Sequence, residues 1–394
     1  MKYIHRLLEP RLSAALARGK SVLLLGPRQT GKTTLLGRFK QEMNISFLRP
    51  EVRLRYEKEP SSLIAEVEGI LSKKRRLPLV VLDEIQRVPS LMDVVQDLVD
   101  RHKAQFILTG SSARKLRHGP SVNLLPGRVV ALRLDPFLLE EMPERPLDDF
   151  LLQGSLPGIV MTLSPMEREE DLASYGVVYL EEEVRSEALV RNLAIFARFL
   201  ELAAIESGGI VNFHKMSQTL GISHTTVAGY YQILEDCLIV ERVDPFTRSR
   251  TRAKLTKSSK YLFFDMGVRR VCAREGLAPP RDQKGLLFEQ WVGLELIRAL
   301  HARGGPWRLR FWRDPDGPEV DWVLEGEQSL IPIEVKWTET PTMADARHLH
   351  LFRREYPEAG EAYIVCRAPR RMKLGEGVTA LPWRDISTLV RYGE

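Results

Sequence analysis

The sequence predicts an α/β protein of several folding units, led by a doubly wound parallel sheet. Three observations carry this expectation. Between residues 21 and about 135, short apolar runs alternate with helical stretches, the pattern of strands buried on both faces and joined by crossover helices. The first run, Val22–Leu25, leads straight into Gly26-Pro27-Arg28-Gln29-Thr30-Gly31-Lys32-Thr33, which reads as strand, glycine-opened loop and helix start. Beyond about residue 265 the composition shifts, and all six tryptophans lie after residue 290. At 394 residues the chain is also too long for one small core.

The elements follow in order. Residues 3–18 carry apolar side chains at helical spacing (Ile4, Leu7, Leu8, Leu12, Ala15, Leu16), interrupted by Pro10. Strands are expected at Ser21–Leu25, Leu79–Leu82, Gln105–Thr109 and Val129–Leu134. Helices are expected from Thr33 to about Gln41, at Ser62–Ser72 and at Leu91–His102. Asp135-Pro136 ends the last strand and sets a first domain at 1–135. Residues 136–192 read as a helical lid, broken at Gly154-Ser155-Leu156-Pro157-Gly158. A third domain is expected at 193–265, and a fourth at 266–394 opens on a helix at Leu286–Leu300.

The formal net charge of +6 is mild for this length. Basic residues concentrate at Lys73–Arg76, Arg248–Lys260 and Arg367–Lys373, which suits either a solvated surface or a polyanionic partner. Cys237, Cys272 and Cys366 are far apart and form no C-x-x-C, arguing against a disulfide framework or a zinc site. The N-terminus lacks the apolar core of a signal peptide, and no apolar stretch approaches the ~20 residues that span a bilayer. A cytoplasmic protein without a membrane partner is the expectation.

Residues Gly26–Thr33 fit G-x-x-x-x-G-K-[ST]. Successive backbone N–H groups of such a loop form an anion nest that cradles phosphates. Gly26, Pro27, Arg28, Gln29, Thr30, Gly31, Lys32, Thr33 and Thr34 are therefore the expected ATP-binding residues. Lys32 would reach the β- and γ-phosphates, and the Thr33 hydroxyl would join the Mg²⁺ shell. Leu79-Val80-Val81-Leu82-Asp83-Glu84 is a second apolar strand ending in two acids. Asp83 is assigned to the metal's water shell and Glu84 to polarising the attacking water. A third strand ends in Thr109-Gly110-Ser111-Ser112. Thr109 is the first choice, and Ser111 the second, for a hydrogen bond to the γ-phosphate or the water; a helix cap by Ser111 or Ser112 is the plainer alternative.

The runs Gly26–Thr33, Leu82–Gln86, Leu108–Ser112 and Gly127-Arg128 together resemble the prokaryotic AAA-family ATPases that carry a conserved C-terminal domain of unknown function. The resemblance extends over nearly the whole chain, including Tyr261–Gly267. It implies an AAA+ module, a winged helix and a nuclease-like domain. It also implies an arginine reaching a neighbouring subunit's ATP site, for which Arg128 is the first choice, with Arg114 and Arg117 as rivals. Action in trans would require a homo-oligomer, expected here as a hexamer. The chain departs from the family at Gly154-Ser155, where a Gly-Gly pair is common.

Residues 213–235 read as helix-turn-helix. Met216 and Leu220 cover one face of the first helix, Gly221 makes the turn and Ser223 caps the second. Val227, Tyr231 and Leu234 give the second helix its buried stripe. His224, Thr225, Thr226 and Tyr230 would face a DNA groove. Arg248, Arg250, Arg252, Lys254, Lys257 and Lys260 would lie in the wing between Leu238–Val243 and Tyr261–Phe264. Six basic residues in thirteen suit phosphates better than base edges, so structure-specific binding is expected over sequence readout.

Near the C-terminus, Asp321 and Glu334-Val335-Lys336 lie on two strands separated by a turn. Glu334 and Lys336 are two apart, so both project from one face. Asp…Glu-x-Lys is the pattern of PD-(D/E)xK nucleases, in which Asp321, Glu334 and the helix residue Glu289 would hold Mg²⁺ and Lys336 would act as the catalytic lysine. Alternation on an exposed strand, or a nuclease fold kept for binding branched DNA, are the other readings. The whole chain reads as an oligomeric ATP-hydrolysing motor that remodels or translocates on DNA, Holliday junctions included. The alternatives are an ATP-gated nuclease, or an ATP-switched binder of DNA or protein without motor activity.

Overall fold

A computed structural model describes residues 3–72, 77–112, 127–176, 192–247, 258–279, 283–314 and 317–390. They fall into two compact units, one made of the chain up to Pro136 with Asp236–Leu238, the other of Phe137–Glu235 with the chain from Ile239 on.

In the first unit, β1 (Ser21–Leu25), β2 (Met43–Ser46), β3 (Leu79–Asp83), β4 (Gln105–Gly110) and β5 (Val129–Arg133) form a sheet in the order β2-β3-β4-β1-β5. Every pairing in it is parallel. Alternate residues feed two cores, as the period of two requires. Leu23, Val80, Leu82, Phe106 and Leu108 meet Phe47, Tyr56, Leu63 and Leu91 on one face. Val22, Leu24, Val81 and Ile107 meet Leu8, Leu12, Ala15 and Leu35 on the other. Strands apolar on both faces can be buried only between helices, which makes the sheet doubly wound.

Three local readings change. Pro10 does not interrupt the first helix but starts it: α1 runs Glu9–Ala17 with proline in its first turn, where a missing N–H costs nothing. The helix after the glycine loop, α2, covers only Lys32–Leu36. At Gly37 the chain tightens into turns, with Arg38 N–H donating to Leu35 O at 3.1 Å and Phe39 N–H to Leu36 O at 3.0 Å. Strand β2 is an addition; at four residues it is too short for a period to register in the sequence. Helices α3 (Pro50–Lys58), α4 (Ser62–Leu71) and α5 (Leu91–Asp100) complete this unit.

The second unit starts with α6 (Leu147–Gln153), α7 (Pro157–Met161), α8 (Pro165–Ser174) and α9 (Leu193–Ile205). Helices α10 (Phe213–Leu220) and α11 (His224–Asp236) are joined through Gly221, whose φ of 67° is left-handed. Strands β6 (Val240–Val243) and β7 (Lys260–Phe263) form an antiparallel hairpin. After α12 (Met266–Cys272) comes the 21-residue α13 (Gln283–Arg303). A six-stranded sheet follows: β8 (Arg308–Arg313), β9 (Glu319–Glu325), β10 (Leu330–Lys336), β11 (Ala362–Cys366), β12 (Met372–Gly375) and β13 (Val378–Pro382), ordered β12-β13-β11-β10-β9-β8. The order helix, three antiparallel strands, helix α14 (Arg347–Glu355), then β11 parallel to β10 is thus α-β-β-β-α-β. Helix α13 lies close on the sheet because residue 293 is glycine: a Cβ there would stand 2.6 Å from Trp322.

A buried polar knot holds the unit's middle. Asp265 Oδ1 caps α12 by accepting from Gly267 N–H and Val268 N–H at 2.9 and 3.1 Å, while its Oδ2 accepts Ser155 N–H at 2.8 Å. Arg298 donates to Ser155 Oγ and Phe264 O, both at 2.7 Å, and to Glu295 Oε1 at 3.1 Å. Glu295 Oε2 accepts Leu139 N–H at 2.9 Å. Burial pushes the Glu295 carboxyl up to about 7, against the lowering pull of Arg298. A carboxyl raised above its ordinary 4.5 contributes stability that is whole below 4.5 and lost as pH rises through 7. Glu295→Gln is expected to flatten that decline by up to roughly 3 kcal/mol. Denaturant melts from pH 4 to 8 measure it, and parallel profiles for wild type and variant would contradict it.

Candidate functional site

The parallel register gathers the sequence-predicted ATP residues at one edge. Leu25 pairs with Gly110, Leu82 with Leu108, and Ser46 with Asp83. The glycine loop, Asp83-Glu84 and Thr109–Ser112 therefore share the carboxyl ends of β1, β3 and β4, where ligands bind in open α/β sheets.

The loop is fixed by features that need these residue types. A Cβ on Gly26 would lie 2.2 Å from Leu134 O, so only glycine fits. Gln29 and Gly31 take left-handed φ of 60° and 91°. Lys32 is buried and its Nζ donates to Gly26 O at 2.7 Å and Pro27 O at 2.9 Å. Thr30 Oγ1 closes the turn onto Pro27 O at 2.9 Å. Thr33 and Thr34 are exposed at the mouth. Arg6, which sequence reasoning did not single out, ties the loop to the end of the sheet by donating to Thr30 O at 2.8 Å and Asp135 O at 2.7 Å.

The acids are oriented from their neighbours. Thr109 Oγ1 donates to Asp83 Oδ1 at 2.5 Å and accepts Glu84 N–H at 3.3 Å. Ser46 Oγ donates to Asp83 Oδ2 at 3.2 Å. Glu84 sits in left-handed backbone, φ 60° and ψ 45°, and is buried. Its Oε2 accepts from Gln86 Nε2 at 2.6 Å and from Ser111 Oγ at 3.0 Å. Thr109 and Ser111 thus touch different acids, which the sequence left as alternatives for one role. Gln86 also explains Gly110, since a Cβ there would come within 2.7 Å of the amide oxygen. Glycines where a backbone must approach, a lysine at the loop, a hydroxyl and an oriented carboxylate suit a triphosphate and Mg²⁺.

Arg128 lies elsewhere. Val129 pairs with Ser21 and Arg133 with Leu25, so Arg128 precedes β5 at the amino end of β1, opposite the loop. Four residue steps of strand, about 13 Å, separate the two levels. Arg128 Nε donates to Asp100 Oδ1 at 2.5 Å on the surface. Arg114 and Arg117 lie outside the described residues.

Of the expected DNA contacts, Tyr230 is half-buried and Lys260 is corrected. Tyr230 turns its ring to Phe196 and Phe199 of α9, with centroids 5.1 Å away in both cases, because an aromatic on that helix face gains more from burial than from solvent. Lys260 is buried, donates to Glu289 Oε1 at 2.7 Å and lies 4.8 Å from the Trp322 ring centroid. His224 and Thr225 are exposed at the start of α11, where Ser223 Oγ accepts Thr226 N–H at 3.1 Å. Arg248, Arg250, Arg252, Lys254 and Lys257 lie outside the described residues.

The C-terminal acids converge around β9 and β10. Ile333 pairs with Trp322, which sets Glu334 beside Asp321. Asp321 Oδ2 accepts Val335 N–H at 2.7 Å, Glu334 Oε1 accepts from Lys336 Nζ at 2.7 Å, and Glu289 is held by Lys260. Glu334 Oε2 is buried without a hydrogen-bond partner. Burial first, then the Glu289 and Glu334 charges, push the Asp321 carboxyl well up. Among the described residues no three acids, histidines or cysteines are arranged to hold a metal ion. The expected Mg²⁺ ligands Glu289, Asp321 and Glu334 each give one oxygen to a group of the protein, to Lys260, the Val335 N–H and Lys336 in turn, while Glu334 Oε2 is left over. The Gly154-Ser155 loop is likewise engaged by Asp265 and Arg298, and a Cβ on Gly154 would stand 2.1 Å from Asp265 Oδ1.

Comparison with known proteins agrees with the first site. Residues 18–143 match the model of an AAA domain, while 144–278 and 284–386 match two domains of unknown function, DUF8612 and DUF4143. An uncharacterized protein of Mycobacterium tuberculosis is 28% identical over 387 residues, 96% of this chain and 83% of that protein. One from Methanocaldococcus jannaschii is 25% identical over 292 residues, 61% of this chain and 60% of the relative. The crystal structure of Cdc6p from Pyrobaculum aerophilum aligns at 15% identity over 72% of this chain and 92% of that one, with a TM-score of 0.27, too slight a likeness to argue from. No described helix is long and apolar enough to cross a membrane. The segment that carries the glycine loop, Asp83-Glu84 and Thr109–Ser112 is thus the one similar to an AAA domain.

Proposed function

We propose that the protein is an oligomeric ATPase that hydrolyses ATP to drive work on DNA. The observation that carries the reading is the Glu84 carboxylate, buried at the carboxyl edge of the sheet beside Asp83 and aimed by Gln86 and Ser111. Lys32, Thr33 and Asp83 would hold the Mg²⁺-triphosphate, and the ion would neutralise charge on the transferring phosphoryl group. Glu84 takes the proton of the attacking water as general base. Thr109 keeps Asp83 in place through its short hydroxyl contact. Arg128 is too far from its own loop to help there, so in this reading it serves a neighbour's site, which requires an oligomer.

The DNA part rests on α10, α11 and the β6–β7 hairpin read as a winged helix, and on the basic run Arg248–Lys257. His224, Thr225 and Thr226 form its remaining groove-facing set, too sparse in paired donors for base readout. Forked or four-way DNA is the proposed substrate, bound chiefly through phosphates in a hexameric ring. Fluorescence anisotropy against single-stranded, duplex, forked and four-way DNA over a salt series tests this. Binding should prefer branched DNA and weaken steeply with salt; equal, salt-insensitive binding or none would count against it. The contact of Lys260 with Glu289, a cation beyond the Asp…Glu-x-Lys pattern, favours a binding platform there over an ATP-gated nuclease.

A further inference from the structure

We infer that Lys260 is the resident cation of the Glu289–Asp321–Glu334 cluster and keeps that cluster from taking up a divalent metal ion. The inference does not depend on the ATPase reading.

Lys260 reaches the cluster from the hairpin strand β7, not from the sheet that carries Asp321 and Glu334. Its ammonium is 2.7 Å from Glu289 Oε1 and 4.8 and 5.4 Å from the Trp322 and Phe311 ring centroids. An ammonium between a carboxylate and two aromatic faces is held by both charge and ring contacts. Lys336 meets Glu334 Oε1 from another direction at 2.7 Å. Three carboxylates and two ammonium groups leave a formal charge of about −1, short of what a divalent ion needs in a buried site. Without Lys260 the same site would carry about −2, which matches such an ion, and affinity for hard cations follows ligand charge. A cavity of about 350 Å³ lined by Lys260, Glu289, Glu319 and Arg313 opens beside the Lys260–Glu289 pair. Glu334 Oε2, buried without a partner, is the oxygen a metal would use once the ammonium is gone.

The test is Mn²⁺ binding by the full-length, nucleotide-free protein, followed by the loss of the free-ion electron paramagnetic resonance signal. Wild type and Asp321→Asn are expected to give the same isotherm. Lys260→Met is expected to gain one site at least about tenfold tighter than any in wild type, absent from Lys260→Met/Asp321→Asn, while Lys260→Arg stays like wild type. A site in wild type that Asp321→Asn abolishes would overturn the inference, and that arm holds even if Lys260→Met fails to fold. A folded Lys260→Met or Lys260→Gln that gains no site would overturn it as well.

Discussion

Glu84→Gln is expected to lower ATP turnover at least about 100-fold while leaving nucleotide binding intact. The amide keeps the shape of the side chain, and its oxygen still accepts from Gln86 Nε2 and Ser111 Oγ, so the loop and the left-handed backbone at residue 84 should persist. What the substitution removes is the capacity to take a proton from water. Lys32 and Asp83, the proposed binding residues, are untouched. Phosphate release under saturating ATP, set beside equilibrium binding of a fluorescent ATP analogue, separates the two effects. Turnover near the wild-type rate would take the base role away from Glu84.

Arg128→Ala is expected to cut turnover by about 10³-fold, the usual scale for an arginine acting on the transferring phosphoryl group. The effect should come from the neighbour. Arg128 lies at the amino end of β1 and the glycine loop at its carboxyl end, so no rotamer of Arg128 reaches the loop of its own subunit. Mixing inactive Arg128→Ala with inactive Lys32→Ala should then restore part of the activity. Some interfaces would pair an intact P-loop from the first with an intact arginine from the second. Full activity in Arg128→Ala alone, or no recovery on mixing, would place the residue outside the reaction. The bond to Asp100 is exposed on both sides and offers no large stability effect to confuse the result.

The candidate nucleotide site was legible because its residues are local in the chain. A glycine loop after an apolar strand, and two acids ending another, state their positions within a few residues of chain. Gln86 was visible in the same run but carries no signal apart from its neighbours. Contacts that cross the chain were not legible. Arg6 meets Thr30 and Asp135, and nothing near Arg6 in sequence announces either. Lys260 was misread, and the packing of Tyr230 missed, for a related reason. Helical and strand periods say which residues share a face, but not which element covers that face. Here α9 covers Tyr230, and Glu289 of α13 takes Lys260. The acid pattern around β9 and β10 shows both sides: spacing brought Asp321 and Glu334 together, while the ammonium that balances them came from a hairpin about sixty residues earlier.

The measurement closest to the central claim is steady-state ATP hydrolysis by the full-length protein with single-stranded, duplex, forked and four-way DNA in turn. Hydrolysis that is slow alone, rises several-fold with branched DNA and vanishes in Glu84→Gln is the predicted result. No hydrolysis under any condition, or hydrolysis indifferent to DNA and surviving Glu84→Gln, would contradict it.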